Sequence, residues 1–131
     1  MPPSAPSGKK KLLIIDDDPQ FTELLVATIE SKADLDIRVE NDSRQGLATA
    51  LVFQPDLILL DVVMPDVDGG DLHSRLHSDP RLKDVPIVFL TSMVQQEEVD
   101  SRGGMIGGQR YLAKPVNLPQ LMHVLDSIPR L

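Results

Sequence analysis

The chain has 131 residues, 41% hydrophobic and 25% charged, values that fit one compact domain and exclude a disordered or fibrous chain. Its 13 Lys and Arg against 20 Asp and Glu give a formal charge of -7, so a nucleic-acid backbone is on average repelled and direct nucleic-acid binding is not expected. The absence of cysteine excludes disulfides, thiolate nucleophiles and Cys-rich zinc sites, and it permits a reducing, cytoplasmic setting.

The opening "MPPSAPSGKKK" has Pro, Ser and Gly before its lysines and no apolar stretch after them, so it does not read as a signal peptide. Residues 1–9 are expected to be a flexible leader and 10–131 the folded domain. Apolar runs such as "LLII" and "LILL" stop at four residues, far below the roughly 20 that span a bilayer, so no membrane span or membrane partner is expected. Three lysines at 9–11 read as a solvated lead-in to the first strand.

That strand is Leu12 to Ile15, and Asp18 then Pro19 signal the start of a helix whose apolar stripe is Phe21, Leu24, Leu25 and Ile29. Leu35, Ile37 and Val39 alternate with polar residues, as in an edge strand with one wetter face. Ser43 is expected to cap a helix reaching about Phe53, stopped by Pro55. The run "DLILLD" is apolar throughout, the mark of a central parallel strand, and it ends on Asp61.

The loop "MPDVDGG" leads to a helix over roughly Gly70 to His77, and "VPIVFLTS" is a strand that gives way to hydroxyls at Thr91. "MVQQEEVDSRGGMIGGQ" is a helix candidate weakened by Gly103 and Gly104, each costing ~1 kcal/mol relative to Ala inside a helix, and is expected to be short or mobile. The last strand, "RYLA", ends at Lys114 and Pro115, and Asn117 caps a helix carrying Leu118, Leu121, Met122 and Leu125. Strands alternating with helices in this way predict an α/β fold with a parallel sheet covered on both faces.

Strands of such a sheet deliver their C-terminal ends to one rim, where ligands bind. Asp16, Asp17, Asp61, Thr91 and Lys114 all fall there. Carboxylates so close repel one another unless a cation joins them; oxygen-only ligands suit a hard ion such as Mg²⁺, and Lys114 adds a site for a phosphoryl group. Asp18 reads as a helix cap rather than a ligand. His73 and His77, four apart on a helix, read as a solvated face rather than a metal pair, and "DVDGGD" lacks the residues a calcium loop needs.

In "IIDDDP", "DLILLDVVMPDVDGG", "VPIVFLTS" and "GGQRYLAKPV", in that order and spacing, the chain resembles the receiver domains of two-component response regulators over about Lys10 to Ile128. The resemblance implies a doubly wound five-stranded parallel sheet, flavodoxin-like, in strand order 2-1-3-4-5. It implies a signalling phosphoacceptor rather than an enzyme, with Asp61 taking a phosphoryl group from the phosphohistidine of a histidine kinase or histidine phosphotransfer protein. Asp17 and Asp61 would bind Mg²⁺ or Mn²⁺ directly, Asp16 chiefly through water, and Val63 through its backbone carbonyl.

By the same resemblance Thr91 and Lys114 would bond phosphoryl oxygens, and Tyr111 would swing inward with Thr91 as the switch. The Lys114-Pro115 bond would be cis, and Val63 and Met93 would flank the attacking water without orienting it, so slow self-dephosphorylation is expected. The output face of such domains is their fourth helix, fifth strand and fifth helix. Gly108, Gln109, Arg110 and Val116 depart from the family pattern there, which leaves open the downstream target or output domain and any phosphorylation-dependent dimer. Two rival readings are a non-phosphorylated pseudo-receiver and a small aspartyl-phosphate phosphohydrolase; the second wants an Asp where Val63 stands. A flavodoxin-like electron carrier wants a Ser/Thr/Gly loop where this chain has "DDDPQ".

Overall fold

The structure, a computed structural model, describes residues 9–62, 69–91, 105–106, 109–114 and 116–126. The expectations for residues 1–8, for Val63, Met93 and Pro115, and for a helix over 93–104 lie outside the described residues. The strands are β1 (Lys11–Ile15), β2 (Asp36–Glu40), β3 (Leu57–Asp61), β4 (Ile87–Thr91), β5 (Met105–Ile106) and β6 (Gln109–Ala113). The helices are α1 (Pro19–Glu30), α2 (Gly46–Phe53), α3 (Gly69–Ser78) and α4 (Leu118–Asp126).

The sheet order is β2-β1-β3-β4-β6-β5, and the first five of these pair in parallel. That is the expected 2-1-3-4-5 order with one addition, the two-residue β5, which runs antiparallel to β6. Met105 and Ile106, expected within a helix candidate, are instead strand. Their partners are Arg110 and Gln109, and the sequence between is Gly-Gly, the composition that a two-residue hairpin link favours.

Alternation along the strands sorts the core into two layers. Leu12, Ile14, Leu57, Leu59, Val88, Leu90 and Leu112 pack under α1 and α4 through Leu25, Ile29, Leu121, Val124 and Leu125. Leu13, Ile15, Ile58, Leu60, Ile87 and Phe89 pack under α2 and α3 through Ala50, Phe53, Leu72 and Leu76. β1, β3 and β4 are buried on both faces, which is why they read as unbroken apolar runs. β2, at the edge, is only half-buried.

Helix starts are set by side-chain caps. Asp18 accepts the N–H groups of Gln20 and Phe21 at the head of α1, and Asn117 accepts that of Gln120 in α4, both as expected. Ser43 is not a cap: it is buried, and Asp42 accepts the Arg44 N–H to open a 3-10 turn over Ser43–Gln45 before α2. The Arg44 side chain bonds back to Asp42 and holds its carboxyl below the usual carboxylate range.

Gly46 begins α2 where helix, β1 and α3 meet. A Cβ there would lie 3.0 Å from Leu72 Cδ2 and 3.3 Å from Ile15 Cδ1. Both neighbours are buried and have little room to yield. Gly46→Val is therefore expected to cost about 1–3 kcal/mol, read as a lower urea midpoint at unchanged m-value. A midpoint equal to wild type would mean that α2 can lift off β1.

Candidate functional site

Register places the polar residues on one rim. Ile15 pairs with Leu60, so Asp16 and Asp61 stand side by side, each one residue past that pair. Thr91 pairs with Ala113, so Lys114 follows at the next step out, and its N–H donates to the Thr91 carbonyl at 2.8 Å. Alternation then divides them. Asp16, Asp61 and Lys114 continue the rows of Ile14, Leu59 and Leu112 on the α1/α4 face, whereas Thr91 and Tyr111 continue the row of Phe89 on the other.

Asp16 is fully buried and Asp61 is 5% exposed. Asp16 Oδ1 accepts the Asp18 N–H at 3.0 Å, and Oδ2 accepts the Lys114 ammonium at 2.7 Å. Lys114 Nζ is also 3.6 Å from Asp61 Oδ2. Asp17 is exposed at the edge of the group. One oxygen of each of Asp16, Asp17 and Asp61 lies within 4.8 Å of the others, the set of acidic side chains that could hold a metal ion among the described residues.

Three carboxylates and one ammonium leave two negative charges, which a divalent cation would offset. Oxygens bound at about 2.1 Å to an octahedral ion lie about 3–4 Å apart, so the cluster needs little contraction. All donors are hard oxygens, which favours Mg²⁺ or Mn²⁺ over the thiophilic metals. The residues present thus fit such an ion.

Tyr111 sits against Phe89, ring centres 5.3 Å apart, and Phe89 in turn against His73 at 5.2 Å. His73 and His77 stack at 4.3 Å. Lys9 pairs with Asp34, and Lys11 caps the Phe53 carbonyl at 3.3 Å, so these lysines serve the foot of the sheet, opposite the acidic rim.

Two residues at the site escaped the sequence reading. Asn41, just past β2, donates to the Asp16 carbonyl at 2.7 Å and to Thr22 Oγ1, tying the β1 loop down. Its place one step beyond a strand next to β1 was the signal that could have found it. Phe21, read as core, also carries the Lys114 ammonium over its ring at 4.4 Å. Nothing in local sequence links positions so far apart.

A doubly wound parallel sheet with an acidic pair, a strand-end aspartate and a lysine converging on one rim is the architecture of a receiver. The sequence matches the response regulator receiver domain over residues 12–126, and the chain belongs to that family, the receiver modules of two-component signalling.

Over 121 residues it is 37% identical to the DNA-binding dual master transcriptional regulator RpaA of Synechocystis, covering 92% of this chain and 49% of that protein. The chain thus spans about half the length of that relative. It is 30% identical over 119 residues to protein PilH of Pseudomonas aeruginosa, covering 90% of this chain and 96% of the relative. The fold matches the chemotaxis protein CheY4 of Vibrio cholerae with a TM-score of 0.75 at 26% identity, covering 92% of this chain and 99% of that one. Among the described residues, no helix is long and apolar enough to cross a membrane.

Proposed function

We propose that this receiver takes a phosphoryl group from the phosphohistidine of a histidine kinase or phosphotransfer protein onto Asp61. One observation supports this above the others: the Asp61 carboxylate lies at a strand end between two further carboxylates and an ammonium 3.6 Å away. An Asp61 oxygen forms the new bond to phosphorus as the P–N bond to the donor imidazole breaks, the electron pair leaving with nitrogen.

Lys114 neutralises charge developing on the phosphoryl oxygens, and the buried wall of β1, β3 and β4 keeps the carboxylate fixed for attack. Asp16, Asp17 and Asp61, with the Val63 carbonyl, would hold Mg²⁺ or Mn²⁺. Bound there, the ion supplies charge neutralisation at the phosphoryl group. Thr91 would bond a phosphoryl oxygen once Asp61 is modified, and Tyr111, resting on Phe89 on that same face, would follow it inward. The switched face, the expected helix after β4 together with β6 and α4, would carry the signal to a partner or output domain in the cytoplasm.

The test is incubation with Mg²⁺ and a small phosphodonor, read by intact mass. A single base-labile phosphoryl adduct is expected in wild type, lost with chelator and absent in Asp61→Ala. An adduct of equal yield in Asp61→Ala would overturn the assignment, and no adduct in wild type would leave a pseudo-receiver.

A further inference from the structure

Phe21 occupies the first turn of α1, held there because Asp18 Oδ1 accepts its N–H at 3.2 Å. The half-buried ring packs on the core under α1 and α4. Its face lies 4.4 Å from Lys114 Nζ, well inside the range of a cation–π contact. The ammonium therefore has the Asp16 carboxylate on one side at 2.7 Å, Asp61 on another at 3.6 Å and an aromatic face on a third.

A lysine head on a four-carbon stem is otherwise free to swing into water. The ring lowers that freedom and shields one side of the ammonium from solvent. At Asp16 the consequence is a competition. Oδ1 already accepts the Asp18 N–H and Oδ2 the ammonium, so a divalent cation reaching this buried carboxylate, directly or through a water, would compete with Lys114 for it.

We infer that Phe21 is a positioning residue for the metal site: by holding the Lys114 ammonium on Asp16, its ring sets how tightly the acidic cluster takes a divalent cation. The inference rests on reading that cluster as a metal site. Phe21 does not touch the ion; it acts through Lys114. Leucine at this position would keep the apolar packing but present no ring quadrupole, and the competing ammonium would be held less firmly.

The test is calorimetric Mg²⁺ titration of the full chain. Phe21→Leu is expected to tighten Mg²⁺ binding about three- to tenfold, the range that a partly desolvated cation–π contact supports. Phe21→Tyr, which retains the ring, should stay within about twofold of wild type. In a Lys114→Met background Phe21→Leu should change nothing, because the group through which the ring acts is gone.

A merely structural role would loosen binding, and by the same factor in both backgrounds. Either of those results, or an unchanged affinity in Phe21→Leu, would overturn the role of Phe21 while leaving the metal site intact. No saturable Mg²⁺ uptake in wild type would instead overturn the metal reading, and this inference with it. Phe21→Met, close to leucine in volume, is the substitute should Phe21→Leu not fold.

Discussion

Lys114→Met is expected to lower the stability of the metal-free protein by about 3 kcal/mol, or roughly 10 °C in Tm for a chain of this size. The ammonium is the counter-charge that the described residues bring to Asp16 and Asp61, the first fully buried and the second 5% exposed. Methionine keeps the stem and its apolar contacts but removes the charge, so what is lost is electrostatic rather than volume. The carboxylates then repel one another without that ammonium between them, in surroundings where water screens them poorly.

Saturating Mg²⁺ should shrink the deficit, since an ion bound in the cluster would supply the charge that the lysine no longer does. Thermal melts of both proteins in chelator and in Mg²⁺ make the measurement. Equal Tm values in chelator would mean that the Lys114 contacts contribute nothing, and an undiminished gap in Mg²⁺ would mean that the ion does not reach the same carboxylates.

Leu59→Ala is expected to cost about 3–4 kcal/mol, the upper part of the range for a core leucine. Leu59 is fully buried in the middle of β3, paired with Ile14 on one side and Val88 on the other. It lies beneath α1 and α4, and a backbone bonded to strands on both sides cannot sink to fill the cavity. The same strand ends at Asp61 two residues on, so slackening it would also loosen the site. Urea unfolding checks the stability change, with Val52→Ala as control: Val52 is 77% exposed, and its truncation should fall within about 0.5 kcal/mol of wild type. A Leu59→Ala cost below about 1 kcal/mol would mean the two-layer core repacks around the deletion.

Most of the sheet was legible because its signals are local. Runs such as "LLII" and "LILL" are apolar at consecutive positions only when both faces of a strand are covered, and β1 and β3 are so covered. Asp18 and Asn117 announced helix starts because capping acts within three residues. Ser43 misled because Asp42, its neighbour, offers the same kind of acceptor, and the choice between them depended on which one the sheet buried. β5 was missed because the helix reading of 93–109 ran through a Gly-Gly pair whose hairpin meaning depends on β6 standing ready to pair.

Composition, periodicity and motif spacing by themselves determined the class of fold, the rim on which the polar residues gather and the acidic character of the site, since each follows from residues near one another in the chain. The sharing of the Lys114 ammonium among Asp16, Asp61 and Phe21, the tie from Asn41 to Asp16, and the separation of Thr91 and Tyr111 onto the opposite face were decided only by tertiary structure. Those are contacts between strand ends and helix starts up to 98 positions apart. Their distances depend on register and on the sheet's closure against α1, which no local pattern encodes.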